Sequence, residues 1–149
     1  MATNPMSPAE FRFVKAFIRV FTKLNVAVYR ASGGRLWKKA FGRPICLVKM
    51  TGAKSGKQRW TPVMHVPWKD GVIIVASLGG APKHPAWYYN LVAHPQIEVL
   101  VDGSTRQLTA RQVYDEEKAA VWPTCVEHYP PYADYQARTD REIPVFICE

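Results

Sequence analysis

The sequence predicts an α+β fold: a small closed or split β-barrel of about six mostly antiparallel strands, with short flanking helices and an N-terminal amphipathic helix. Three observations carry this. Apolar spacing is helical up to about residue 30 and becomes strand-like from Ile45 onward. Lys69-Asp70-Gly71 and Asp102-Gly103 are tight hairpin signals between adjacent apolar runs. The later helical segments are short and open on proline or on acids.

In chain order, residues 1–7 are small or polar and are expected to be loose. Ser7-Pro8-Ala9-Glu10 is a helix start, with Ser as N-cap, Pro at the first helical position and Glu at the third. The helix is expected from residue 8 to about 29. Phe13, Phe17, Ile18, Val20, Phe21, Leu24 and Val28 share about half of its wheel, and Arg12, Lys15, Arg19 and Lys23 oppose them. Two readings stay open. The apolar face packs on the rest of the chain, or residues 8–30 lie on an anionic membrane surface, because only cations back that face.

Ala31-Ser32-Gly33-Gly34 ends this helix, residues 35–41 form a basic aromatic segment, and Gly42-Arg43-Pro44 breaks it. Residues 1–30 are thus the helical part and 31–149 the barrel. Strands are expected at 45–51, 58–67, 71–77, 96–101, 104–113 and 143–148. Helices are expected at 85–93, from Asp115 to a stop or kink at Pro123, and at 132–138.

At 149 residues the chain is long enough to bury one proper core. Residues 1–60 hold 13 Lys/Arg against the single acid Glu10, whereas residues 61–149 hold seven against 11 acids. A polyanionic ligand is therefore steered to the first part. Cys46, Cys125 and Cys148 are far apart, and His65, His84, His94 and His128 lack ligand spacing, so no metal site is expected. Apolar cysteines of odd number read as reduced thiols in a cytoplasmic protein. Cations interrupt every apolar stretch near the N-terminus, which leaves no signal peptide and no membrane span.

Four segments could carry chemistry. TGAKSGKQRWTP, residues 51–62, joins two apolar runs; its glycines and Lys54, Lys57 and Arg59 make either an anion cradle or a solvated basic turn. VASLGG, residues 75–80, ends a buried strand in small residues, where a flat ligand could lie or a simple turn form. HPAWYYNL, residues 84–91, offers free helix-start amides and an aromatic ring, or else Trp87 and Leu91 anchor a helix to the core. YPPYADY, residues 129–135, gathers Tyr129, Tyr132 and Tyr135 as pocket wall or as packing. There is no Ser-His-Asp set, no carboxylate pair and no Walker loop, since GAKSG lacks the GK[ST] end. Chemistry without a resident nucleophile or base points to a borrowed cofactor.

With these segments together, the chain resembles the deazaflavin-dependent nitroreductase family of actinobacteria, which uses coenzyme F420. TGAKSGKQRWTP, IIVASLGG, PAWYYNL with AHP, YPPYADYQ and TDREIPVF follow one another in family order. The resemblance implies a split β-barrel that binds the reduced deazaflavin in a groove, and hydride transfer from it to a quinone, an activated enone such as a coumarin-type lactone, or a nitroaromatic. It implies that Lys54, Ser55 and Arg59, with the backbone of Ala53 and Gly56, take the phosphate and acidic tail. Trp60, Thr61, Pro62, Val63 and Met64 on one side, and Val75, Ala76, Ser77 and Leu78 on the other, should flank the ring. Ala86, Trp87, Tyr88, Tyr89 and Asn90 should close the site. Ser77 and Tyr132 are the catalytic candidates for holding the acceptor's oxygen, with Tyr129, Tyr135 and Leu78 on the substrate side. Family members commonly carry a cation at the position of Ala53 and a lysine at that of Leu78, so this chain lacks two charge contacts. The rivals are a barrel binding FMN or haem, and a non-enzymatic basic module for membranes or nucleic acid; the apolar helix face argues against nucleic acid.

Overall fold

In the computed structural model, which describes residues 2–40 and 42–149, the chain opens with helix α1, Pro8–Ala31. Ser7 Oγ accepts from the Glu10 amide at 3.2 Å, and the Glu10 carboxylate accepts from the Ser7 amide at 2.7 Å. This reciprocal pair satisfies two donors that the first turn would otherwise orphan. The helix ends where the Gly34 amide, at φ +81°, returns to the Tyr29 carbonyl at 2.8 Å. The segment expected at 35–41 holds the short strand β1, Lys39–Ala40, and its last residue, Phe41, lies outside the described residues.

The other strands are β2 (Arg43–Thr51), β3 (Gln58–Met64), β4 (Val66–Trp68), β5 (Gly71–Val75), β6 (Gln96–Val101), β7 (Ser104–Val113) and β8 (Val145–Cys148). All pairings are antiparallel and follow a ring: β3 with β2, β2 with β6, β6 with β7, β7 with β8, β8 with β5, and β5 with β4. β4 follows β3 after one residue, His65, so the run expected at 58–67 is one bent strand that serves two sheets. β7 is likewise shared, its first part on β6 and residues 110–113 on β8. This is the split barrel that the sequence predicts.

Strand alternation sorts the apolar residues to two sides. Val72, Ile74, Phe146 and Cys148 point inward to Cys46, Val48, Met50, Ile97 and Val99. Ile73, Val75, Val145 and Ile147 point outward beneath α3 (Asp115–His128) and α4 (Pro131–Ala137), against Val121, Cys125, Tyr129 and Tyr132. Helix α2 (Ala86–Ala93) sets Leu91 and Trp87 into the inner cluster.

Some expectations are corrected. Pro123 does not stop α3, which runs on to His128. Val121 and Cys125, both buried, lock the turns on either side of the proline, and that packing outweighs the lost backbone bond. The strand expected at 71–77 ends at Val75, because a short 3-10 turn, Leu78–Gly80, follows. The strand expected from 143 begins at Val145, after Pro144. On α1 only Asn25 and Tyr29 are buried. Phe13 is 71% exposed and Val20 58%, so the apolar face packs on the barrel only near its C-terminal end.

A Cβ on Gly71 would sit 1.8 Å from the Cys148 carbonyl oxygen across the β5–β8 ladder, where neither backbone can retreat. Gly71→Ala is expected to cost about 3 kcal/mol or more in urea unfolding. Gly33→Ala, at φ +64° but with nothing within 4 Å, should cost only about 1–2 kcal/mol.

Candidate functional site

The register of β4 on β5 pairs Val66 with Ile73. Carried along the bent strand, it would set Met64 opposite Val75 and Pro62 opposite Ser77. No ladder forms there, because β3 has turned to pair with β2 instead. One edge of residues 60–64 is therefore open and faces the exit of β5. These are two of the stretches that the sequence reading put on either side of a flat ligand.

Side chains on β3 alternate. Thr61 and Val63 share the inward face with their partners Val48 and Cys46. Trp60, Pro62 and Met64 face outward. The Trp60 ring lies between two cations, 5.6 Å from the Arg30 guanidinium and 5.4 Å from the Lys49 ammonium. Its ring is thereby tied to α1 and β2, and only its backbone edge borders the opening. Met64 and Val75 meet in the outer cluster with Tyr129, Tyr132 and Tyr135.

The loop between β2 and β3 leads into this edge. The Gly52 amide bonds the Lys57 carbonyl at 2.8 Å and the Gly56 amide, at φ +68°, bonds the Gly52 carbonyl at 2.9 Å. The Ala53 amide donates to Asn90 Oδ1 at 2.9 Å, which joins the loop to α2. Ser55 Oγ accepts from the Lys57 amide at 3.2 Å. The backbone donors expected of Ala53 and Gly56 are thus engaged within the protein; this is a correction. The open donors are the amides of Lys54 and Ser55, with exposed Lys54, Lys57 and Arg59 around them, none ion-paired among the described residues.

At the opposite bank, Arg141 gathers the strand exit. Its Nε donates to the Ala81 carbonyl at 2.7 Å, Nη2 to the Ser77 carbonyl at 2.6 Å, and Nη1 to the Ala76 carbonyl at 3.3 Å. Nη1 also lies 3.1 Å from His84 Nδ1; a guanidinium only donates, so His84 accepts there and carries its proton on Nε2. Ser77 is half-buried and its hydroxyl has no partner among the described residues. Leu78 adopts φ +45°, a strained conformation for a branched side chain, and Gly79 and Gly80 continue it at +64° and +77°. Sequence reasoning gave Arg141 no role, for a lone arginine before a strand carries no signal of its own.

Tyr129 and Tyr135 share a hydrogen bond of 3.0 Å, and Tyr132 packs edge-on to Tyr129 at 4.9 Å between centroids. Tyr132 is 3% exposed, and burial pushes its phenol well above the usual range. Burial also raises Tyr129, and Cys46 and Cys125 are pushed up to about 12. None of these groups is an acid or a thiolate near neutral pH. On α2, Trp87 serves the inner core as the packing alternative has it, and Tyr88 turns to Gln112 at 3.3 Å. Tyr89 and Ala86 are exposed. No cluster of His, Cys, Asp or Glu suited to a metal is present among the described residues.

Comparisons with known proteins agree in kind. The profile of the F420H(2)-dependent quinone reductase family matches residues 21–149. An F420H(2)-dependent quinone reductase of Mycobacterium tuberculosis is 37% identical over 129 residues, covering 84% of this chain and 87% of its own. A solved F420-H2 dependent reductase superposes with a TM-score of 0.67 at 50% identity, over 72% of this chain and 95% of its own. The haem storage protein HutZ of Vibrio cholerae shares the fold, with a TM-score of 0.54 at 12% identity over 70% of this chain and 80% of its own.

Two histidines give the fold an acid limit. Burial lowers His65, with Asp102 opposing and His128 and Arg106 adding to the shift. Burial and then Arg141 lower His84. Both bind protons better in the unfolded chain, so stability is full above the ordinary value of 6.5 and declines as pH falls below it. The melting temperature should be lower at pH 5 than at pH 7.5, and the pair His65→Gln and His84→Gln should flatten that slope. An unchanged slope would assign the acid sensitivity to other groups.

Proposed function

The chain belongs to the F420H(2)-dependent quinone reductase family, and from that premise we propose how its residues divide the work of reducing a quinone-type acceptor. It is an oxidoreductase whose reductant is reduced coenzyme F420. When bound, the coenzyme supplies a hydride at its deazaflavin ring. The protein must hold that group, place the acceptor and admit one proton from solvent, so that a hydride and a proton together turn quinone into hydroquinone.

One observation carries the reading: Lys54 and Lys57 of the loop and Arg59 at the start of β3, none ion-paired among the described residues, lead directly into an unpaired strand edge, and the Ser77 hydroxyl at the exit of β5 has no partner among the described residues. Lys54, Ser55 and Arg59, with the amides of Lys54 and Ser55, suit a phosphate and acidic tail. Asn90 keeps the loop in that shape. The backbone of Trp60, Thr61, Pro62, Val63 and Met64, and that of Val75, Ala76, Ser77 and Leu78, offers two banks for a flat ring. Ala86, Trp87, Tyr88 and Tyr89 support this through the placement of α2.

Ser77 is the donor to the acceptor oxygen, where negative charge grows as the hydride arrives. Tyr132 holds its proton too tightly to give it up and, buried as it is, backs Tyr129 and Tyr135, which with Leu78 shape the acceptor side. The proton comes from solvent. Activated enones and nitroaromatics suit the same donor, because their oxygens also gain charge. A haem or FMN role has only the fold in its favour.

The uncovered face of α1, with cations beside it and no helix able to cross a membrane among the described residues, suits an anionic lipid surface that holds lipid-soluble quinone.

Replacing Lys54 and Arg59 together with Ala should weaken coenzyme binding at least about tenfold in a fluorescence titration, each charge-assisted contact contributing roughly 1.5–3 kcal/mol. Unaltered affinity would move the tail elsewhere. Replacing Phe13, Phe17 and Val20 with Gln should abolish sedimentation with anionic liposomes and leave turnover of a soluble quinone within about twofold. Persistent sedimentation would reject the membrane role.

A further inference from the structure

We propose that Arg141 is a positioning residue of the acceptor site, acting through residues 76–80. The proposal rests on the reading that Ser77 meets the acceptor's oxygen. Arg141 precedes β8, and its backbone carbonyl is held by Gln136 Nε2 of α4 at 2.9 Å. From that anchor the guanidinium reaches 57 to 65 residues back along the chain to three carbonyls and one imidazole. Its planar fork fits partners spread over one plane, which an ammonium cannot reproduce.

The turn it holds has two backbone bonds of its own, from the Gly80 amide to the Ser77 carbonyl at 3.0 Å and from the Ala81 amide to the Leu78 carbonyl at 3.1 Å, but an unfavourable backbone conformation. Leu78, Gly79 and Gly80 all have positive φ, and a non-glycine residue in that region persists only where its surroundings fix it. Gly80 is clamped from the other side: a Cβ there would lie 2.5 Å from the Tyr135 carbonyl oxygen. The turn is therefore set between α4 and the half-buried Arg141 guanidinium.

The consequence is directional. All described peptides are trans, so each carbonyl points opposite to the amide of the next residue. With the Ala76 and Ser77 carbonyls drawn to Arg141, the amides of Ser77 and Leu78 point away from it, and neither meets an acceptor among the described residues. Carbonyls bound to a cation polarise their peptides and strengthen those amides as donors. Arg141 thus presents two amides in fixed directions, and holds the backbone from which the Ser77 hydroxyl extends, without touching the acceptor itself. Fixed donors stabilise a developing oxyanion better than mobile ones.

The experiment uses the full chain with Arg141→Lys, Arg141→Ala and Ser77→Ala. Coenzyme affinity is read by F420 fluorescence and turnover with menadione as the soluble quinone. For Arg141→Lys, kcat should fall at least about tenfold while the coenzyme Kd stays within about threefold, since the charge remains but the fork is lost. For Arg141→Ala the fall should be larger, and millimolar guanidinium should restore part of it. Wild-type kcat in Arg141→Lys, an Arg141→Lys chain that does not fold, or parallel loss of kcat and coenzyme affinity would each overturn the proposal. If Arg141→Ala is insoluble, Arg141→Lys decides alone. Ser77→Ala separates the two claims: wild-type kcat there refutes the acceptor-site reading itself. Loss in Ser77→Ala with wild-type kcat in Arg141→Lys refutes only the role of Arg141.

Discussion

A single bent strand governs this molecule. Backbone donors and acceptors in a sheet must be paired or left to solvent or ligand. Gln58–Met64 takes its partners from β2, and after His65 the chain turns so that Val66–Trp68 takes its partners from β5. The stretch of β3 that would have continued the ladder beside Val75 is left with an open edge. An exposed edge is a hazard in most sheets. Here it is short, and it is bordered by α1 through Trp60 and by the tyrosine cluster through Met64.

The charges are unevenly divided along the chain. The surplus of cations lies in residues 1–60, which supply α1, the loop and β3. Several other basic residues are ion-paired: Lys49 with Glu98, Arg111 with Glu117 and Lys118 with Glu142. The loop cations have no such partners among the described residues. Exposed pairs add little to stability, so the difference matters for ligands more than for folding. An anion arriving at the loop meets charges that do not have to be released from another contact first.

Much of the architecture could be read from the sequence because local signals and tertiary packing agree. Asp102-Gly103 is a hairpin turn with both residues at positive φ, and β6 and β7 match their expected bounds. Ser7 and Glu10 form the cap that their spacing predicts. Disagreement arises where long-range packing decides. Pro123 is a strong breaker locally, yet Val121 and Cys125 hold α3 through it. Of the candidate site, the sequence offers stretches rather than side-chain directions. Strand parity sends the Trp60 ring outward to Arg30, and Asn90 takes the Ala53 amide across 37 residues. No local pattern announces either contact. Arg141 was illegible for the same reason, because all its partners come from the far end of a different strand.

The chemistry of the buried groups fits a protein that lends no reactive atom of its own. Thiols at Cys46 and Cys125 are pushed to about 12, and the Tyr129 and Tyr132 phenols are raised by burial. Such groups neither attack an electron-poor acceptor nor trade protons with it near neutral pH. A quinone is readily captured by thiolates, so a reductase that handles it gains from cysteines that are buried and protonated. The same burial makes the tyrosine cluster rigid: Tyr129 and Tyr135 satisfy one another, and Tyr132 is wedged between Trp122 and Tyr129. Rigidity on that side and the guanidinium clamp on the other leave residues 76–80 little freedom to move. A fixed polar wall costs no reorganisation when charge appears on the acceptor, and in a site whose reducing power is borrowed, that is the main contribution left for the polypeptide.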